Sequence, residues 1–295
     1  MAQYLQAHFE CLFAMSRASK WVLAQLERHN FAIEILPETE QFAPDDPKSE
    51  KPWNWDLEGH LGKGDSLVLD GYRFDSSFYT EAQSLNVKTI RVIDSLEQVP
   101  PCDAIITQLP FDHEEVLRIV EVNHMWTGLD GFIVRPEFYE FVGARADFVY
   151  DAFVYDAFIY VTTQESWGFY KTFTDDLSEK SVLAVTNSQF ESLCEGMGWF
   201  PVKDVPAGEL AGLMNSSRIA VLPASTIGIE FLIATGRKPY VKPLATNQQQ
   251  AFHYMVEAGY WLDVPTEGAR IPTDVHTAPS LESFPAHRFI SWFND

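Results

Sequence analysis

Basic residues are scarce in this chain. Lysine and arginine number 21 against 42 acids, a net charge of −21. A field of that sign repels nucleic acid and anionic membrane surfaces, so neither is expected as a partner. It repels an anionic ligand at long range too, so a bound nucleotide has to be held by local N–H groups and the few cations nearby. The same charge also serves plain solubility. Cysteine is rarer still: Cys11, Cys102 and Cys194 lie far apart with no paired spacing. That pattern excludes a zinc motif and a disulfide framework, and it fits a reducing cytoplasm. No apolar run approaches the ~20 residues needed to cross a bilayer, so no membrane insertion is expected. The first residues lack a basic segment followed by a long apolar core, so no signal peptide is expected.

What the chain does have is length and apolar content. Its 295 residues are 46% hydrophobic and 14% aromatic, which describes a folded protein with room for two ordinary domains. Read in order, Tyr4 to Leu12 is expected as a first strand and Arg17 to His29 as an amphipathic helix. Phe31 to Leu36 alternates as a strand does. Pro37 to Asp56 is rich in proline and acids and reads as a surface excursion or lid. Strands are expected over Ser66 to Asp70, Lys88 to Asp94 and Asp103 to Thr107, with helices over Ser76 to Leu85 and Glu114 to Val122. The run Gly131 to Phe138 follows. Gly143 to Tyr155 is irregular, carries a short local echo, and is taken as the domain junction. Strands over Phe158 to Thr162 and Val182 to Thr186 then alternate with helices over Gly168 to Leu177, Gln189 to Met197 and Ala207 to Met214. The tail Leu281 to Phe293 carries an aromatic stripe suited to packing on one of the domains. Strand–helix alternation of this kind predicts an α/β chain with two Rossmann-like, doubly wound domains. The expected divisions are 1–142, 157–278 and a C-terminal helix within 279–295.

The most informative stretch is Ser217 to Val264. It reads as a strand (Arg218 to Leu222), the loop Pro223-Ala224-Ser225-Thr226, and a helix from Ile227 to Thr235 closed by Gly236. A second strand, Pro239 to Pro243, leads to a helix opened by Asn247-Gln248, and Tyr260 to Val264 ends the unit. In open parallel sheets ligands sit beyond the carboxyl ends of strands. Helix N-termini there offer unpaired N–H groups and a positive dipole end, suited to a diphosphate. Glu230 lies four residues past Thr226 on the same helical face, where a carboxylate can take two ribose hydroxyls. Ser225 and Asn247 can equally be ordinary caps and Glu230 a solvated residue; the stretch alone leaves both readings open.

Several runs resemble one family in their order and spacing. They are Leu67-Val68-Leu69-Asp70-Gly71-Tyr72, Ile90 to Asp94, Cys102 to Ile106, Val134-Arg135-Pro136-Glu137-Phe138, Ala224-Ser225-Thr226 with Glu230, and Asn247-Gln248. Together, over about Ser66 to Val264, they resemble the UDP-sugar hydrolases of pseudaminic acid biosynthesis (PseG), which have a GT-B-like fold. The resemblance implies that Ser225 and Thr226 meet a diphosphate, Glu230 the ribose, and Asn247 with Gln248 the diphosphate or sugar. It implies Tyr72 near the sugar, with Asp70, Tyr72 and Asp94 as candidate catalytic groups. It implies UDP or a UDP-sugar as the ligand and no metal or other cofactor. The family carries a Gly-x-Gly-His-x-x-Arg loop after its first strand. The matching run here, Cys11 to Arg17, keeps Arg17 but has Ala14 in place of the catalytic histidine and neither glycine. Thr162 to Ser166 stands where the family has a Gly-Gly-Ser-Asp loop. His8, His124 and His253 are expected as surface or packing residues. Three functions follow as expectations: a UDP-sugar hydrolase, a GT-B glycosyltransferase using the same nucleotide pocket, or a non-catalytic nucleotide-sugar binder.

Overall fold

A computed structural model describes the chain except residues 16–17, 19, 37–56, 71–75, 94–98, 100, 109–115, 117, 119–121, 141–152, 174–176, 178–179, 265–273, 280–289 and 294–295. The chain divides into two compact units, Met1–Phe132 with Pro285–Asp295, and Ile133–Phe284. The expected junction and the proline-rich excursion lie largely outside the described residues.

In the first unit β1 (Leu12–Met15) and β2 (Ala32–Ile35) form a two-stranded parallel ladder. A four-stranded parallel sheet follows, in the order β3 (Ser66–Asp70), β4 (Lys88–Ile93), β5 (Ala104–Thr107) and β6 (His124–Trp126). Among the described residues its α-helices are α1 (Ala2–Leu5), α2 (Lys20–Arg28), α3 (Leu57–His60) and α4 (Ser76–Ser84). On β3, Leu67 and Leu69 are buried while Val68 and Asp70 are exposed, the period-two pattern of a strand with one face covered. Every residue of β5 is buried, as a central parallel strand requires. Asp103 pins the start of β5 to β4 by accepting from the Thr89 N–H at 2.8 Å and its hydroxyl at 3.0 Å. Near the C-terminus, the Trp292 ring stacks edge-on against Trp126, and Lys88 Nζ donates to the Trp292 carbonyl at 3.1 Å.

The start of the chain differs from expectation. Ala2–Leu5 is helical and the first strand is Leu12–Met15, so most of the run expected as a strand is helix and turn. Ala14 therefore lies within β1, opposite Glu34, and not in a loop beyond the first strand. Short, mixed segments such as this carry little periodicity to fix a register. Two three-residue strands, β6 and β9 (Phe200–Val202), also escaped notice for want of length. Pro136 to Glu140 is helix α5, with proline at its first position, where the missing N–H costs nothing.

The second unit is one six-stranded parallel sheet in the order β12-β11-β10-β7-β8-β9. Besides β9, its strands are β7 (Tyr155–Val161), β8 (Val182–Thr186), β10 (Ser217–Pro223), β11 (Tyr240–Lys242) and β12 (Leu262–Asp263). With α5, the helices described in this unit are α6 (Gln164–Lys171), α7 (Glu191–Gly196), α8 (Ala207–Asn215), α9 (Thr226–Thr235) and α10 (Gln249–Glu257). Helix α9 is apolar on every face, and all its residues from Ile227 to Thr235 are buried, as such a helix must be. Gly236 ends it in the left-handed conformation, φ 69°, that glycine alone adopts without strain. Arg237 follows and is itself buried. It donates to the carbonyls of Met214 and Arg218 at 2.9 and 2.8 Å and to that of Ser217, tying the end of α8 to the start of β10.

Two outcomes check this packing. Gly131 sits so close to the end of β5 that an added Cβ would fall 1.7 Å from the Thr107 carbonyl oxygen. Gly131→Ala should destabilise the fold by at least about 1–3 kcal/mol, read as a lower urea midpoint at unchanged m-value; an unchanged midpoint would refute that approach. Burial pushes the Cys102 thiol up to about 12, against the pull of Arg91, and Cys194 is raised by burial as well. At pH 8 both are held as protonated, covered thiols, so native protein should give at most one slow equivalent of thiol labelling, from half-buried Cys11. The other two should appear only in denaturant. Sign follows from the raised value: the Cys102 contribution to stability is intact below pH 9 and is lost as pH rises towards 12.

Candidate functional site

Strand order locates the site of the second unit. β8 and β9 extend the sheet to one side of β7, while β10, β11 and β12 extend it to the other. The direction of winding reverses between β7 and β10, which pair directly, Ile159 opposite Val221. Ligands of doubly wound sheets bind beyond the carboxyl ends of the strands at such a reversal. The loops after Val161 and after Pro223 meet that description.

The two loops are built differently. After β7, Thr163 caps α6 in a reciprocal box: Ser166 N–H donates to the Thr163 hydroxyl at 3.2 Å, and the Thr162 and Thr163 N–H groups donate to Ser166 Oγ at 3.2 and 3.0 Å. Asn187 Nδ2 donates to the Thr162 carbonyl at 2.9 Å and ties in the loop after β8. This loop spends its donors on itself. After β10, Ser225 is the N-cap of the ten-residue helix α9, yet its hydroxyl makes no capping bond. Backbone bonds hold the loop instead: the Ala224 N–H reaches the Lys242 carbonyl and the Ser225 N–H the Pro223 carbonyl, at 2.9 and 2.8 Å. Thr226 begins the helix. The positive end of α9 and an uncommitted serine hydroxyl thus stand together at the reversal.

Glu230 is one turn further on and is not a solvated face residue. It is 5% exposed, the one charged residue in an otherwise apolar buried helix. Side chains on a helix tilt towards its N-terminus, the end of α9 at which Ser225 and Thr226 lie. Both its oxygens are engaged: Arg135 Nε donates to Oε1 at 2.8 Å and Nη2 to Oε2 at 2.9 Å, a forked pair. Arg135 precedes α5 and lies over the Phe138 ring, 4.8 Å from its centroid. Burial pushes the Glu230 carboxyl above its ordinary range, and the guanidinium pulls against that. Tyr160, the penultimate residue of β7, is raised by its own burial first and then by the Glu230 charge, with Arg135 opposing. Tyr160, near the carboxyl end of β7, thus feels the charges of the Arg135–Glu230 pair.

Asn247 and Gln248 follow β11, the neighbour of β10, in a short 3-10 turn over Thr246–Gln248 that runs into α10. Asn247 is therefore inside the turn and Ala245 is its cap. Gln248 Oε1 accepts from the Leu244 N–H at 2.8 Å and shapes the loop. In the first unit Asp70 ends β3 and is exposed. Tyr72 and Asp94 lie outside the described residues. His8 is in an exposed turn, His124 lies 4.4 Å from the Trp126 ring and His253 stacks edge-on with Phe252. Among the described residues no group of His, Cys, Asp or Glu is arranged to hold a metal ion, and no helix is long and apolar enough to cross a membrane.

No family model and no curated protein matches the chain. Solved structures do. The UDP-GlcNAc 2-epimerase of Methanocaldococcus jannaschii, in complex with UDP-GlcNAc and UDP, aligns at a TM-score of 0.51 and 11% identity over 96% of this chain and 99% of that one. UGT89C1 of Arabidopsis thaliana, complexed with UDP-L-rhamnose, aligns at 0.52 and 11% over 99% and 84%. Likeness at this identity shows the fold: an α/β chain of two Rossmann-like units in the GT-B class, as the sequence predicts.

Arg135 and Tyr160 were not among the sequence candidates for the site. A signal for Arg135 was present: a lone acid in an apolar helix demands a cation. Replacing Arg135 by Met leaves that acid buried and unpaired, and should cost about 1.5–3 kcal/mol of stability, the worth of a hydrogen bond to a charged group. The double variant R135M/E230M should be more stable than R135M, because an apolar pair substitutes for a buried ionic one at little cost. Chemical denaturation of both proteins checks this; a double variant less stable than R135M would refute it.

Proposed function

We propose that the chain is a nucleotide-sugar enzyme whose second unit binds the UDP of a UDP-sugar, and that it transfers the sugar as a glycosyltransferase. The observation that carries this reading is the start of α9: a helix N-terminus and a serine hydroxyl without a capping bond at the sheet reversal, with a carboxylate one turn on. Helix-end N–H groups, Ser225 and Thr226 receive the diphosphate. Glu230 receives the ribose hydroxyls. Asn247 reaches the diphosphate or sugar from the loop after β11, and Gln248 keeps that loop in shape. An acceptor hydroxyl attacks the anomeric carbon, the bond from that carbon to the diphosphate breaks, and the acceptor proton passes to a base. UDP leaves with its charge spread over fixed N–H donors. Asp70 is the described candidate for the base, with Tyr72 and Asp94 beside it in the candidate set.

Support comes from two directions. Both structural neighbours named above were solved with uridine nucleotides, although a shared fold does not decide a reaction. The hydrolase reading leans on a histidine loop after the first strand, and here the matching position is Ala14, a strand residue with no proton to move. Isothermal titration with UDP is the first test. Wild-type protein should bind, and Ser225→Ala should bind about tenfold more weakly, the loss of one hydrogen bond to a charged oxygen. UDP release from UDP-sugars with and without sugar acceptors then separates the activities. Release that needs an acceptor is expected; release without one marks a hydrolase, and binding without release marks a binder. Failure of wild-type protein to bind UDP would end the proposal.

A further inference from the structure

We infer that Arg135 is a removable occupant of the ribose position, and that on leaving Glu230 it becomes the cation that receives the diphosphate. This rests on the UDP-sugar reading above and specifies how the site accepts its ligand. The forked bond fills both oxygens of Glu230, so a ribose cannot pair with that carboxylate while the fork is closed. One member of the pair has to move. Glu230 is fixed on a buried helix, whereas the Arg135 side chain is 36% exposed and so has solvent to swing into. Phe138, fully buried beneath it, gives the guanidinium an aromatic face to slide across. Helical side chains tilt towards the N-terminus, and Glu230 is one turn from Thr226, so a guanidinium displaced from it has a short way to move to the helix end assigned to the diphosphate.

The exchange conserves pairings. The carboxylate gives up two N–H donors and gains two hydroxyl donors. The guanidinium gives up one anion and gains another. A helix N-terminus supplies only about half a positive charge, less than a diphosphate carries. In a chain of net charge −21, a further local cation strengthens such a site. Arg135 is therefore a specificity element: it makes ribose and diphosphate binding depend on each other. Uridine, which has no phosphate, opens the fork and leaves Arg135 without an anion. Inorganic pyrophosphate draws Arg135 away and leaves Glu230 buried without a donor.

The experiment is calorimetric titration of UDP, uridine and pyrophosphate into wild-type protein and Arg135→Met, each first checked for folding by circular dichroism. Wild type should bind UDP well and the two fragments poorly. Arg135→Met should lose about 10- to 100-fold in UDP affinity, the worth of a charge-assisted bond to phosphate. The same change should raise the affinity for uridine, because Glu230 is then open to the ribose. A purely structural role moves both ligands the same way. Should R135M weaken both, or leave both unchanged, the inference is overturned while UDP binding by wild type still stands. Should wild type fail to bind UDP, the underlying reading fails instead. If R135M does not fold, Arg135→Lys serves: a lysine keeps the charge but cannot fork. R135K should tighten uridine and lose less UDP affinity than the factor above; uridine affinity equal to wild type would overturn the inference.

Discussion

A carboxylate has been placed where an apolar helix would otherwise bury nothing but hydrocarbon. Taking such a charge out of water costs several kcal/mol unless its lone pairs are met. The second unit meets them with Arg135, ninety-five residues earlier in the chain. Much of the local architecture serves that demand. Pro136 stops the chain from being helical at Arg135, α5 presents Phe138 beneath the guanidinium, and α9 holds Glu230 with both oxygens turned to the fork. An apolar residue at position 230 would pack with less difficulty. Local rules of this kind are broken most often at functional positions.

Much of the fold was legible before the structure. Ser66 to Asp70 and Val182 to Thr186 were bounded correctly because short apolar runs between turn residues leave little choice of register. Helix α9 was legible from its N-cap serine and closing glycine. The start of the chain was not, because Tyr4 to Met15 mixes polar and apolar residues without a sustained period. The site was legible only in part. Sequence spacing put Thr226 and Glu230 one helical turn apart, which needs nothing but the geometry of a helix. It could not put Arg135 against Glu230, since that contact is made by folding distant segments together. Burial likewise turned Glu230 from a surface candidate into an interior one.

The loop after β7 shows what the resemblance to the hydrolase family could not carry over. A glycine-rich loop lends bare N–H groups to a ligand. Thr163 and Ser166 instead give those groups side-chain acceptors from within the loop, so the fold is steadier there and offers less to an anion. The consequence is an asymmetry between the two loops: the β7 loop engages its own N–H groups, while the N-cap hydroxyl at the start of α9 makes no capping bond.

The ends of the larger sheet carry a lesson of a different kind. One outermost strand, β12, has only two residues, and the other, β9, has three, with Pro201 at its centre. Proline offers no N–H, so one of the three residues of β9 has no donor to give. A foreign strand laid along either border would find too few rungs to hold it. Phe200 is exposed on that border, where so short a strand makes a poor template for a foreign one.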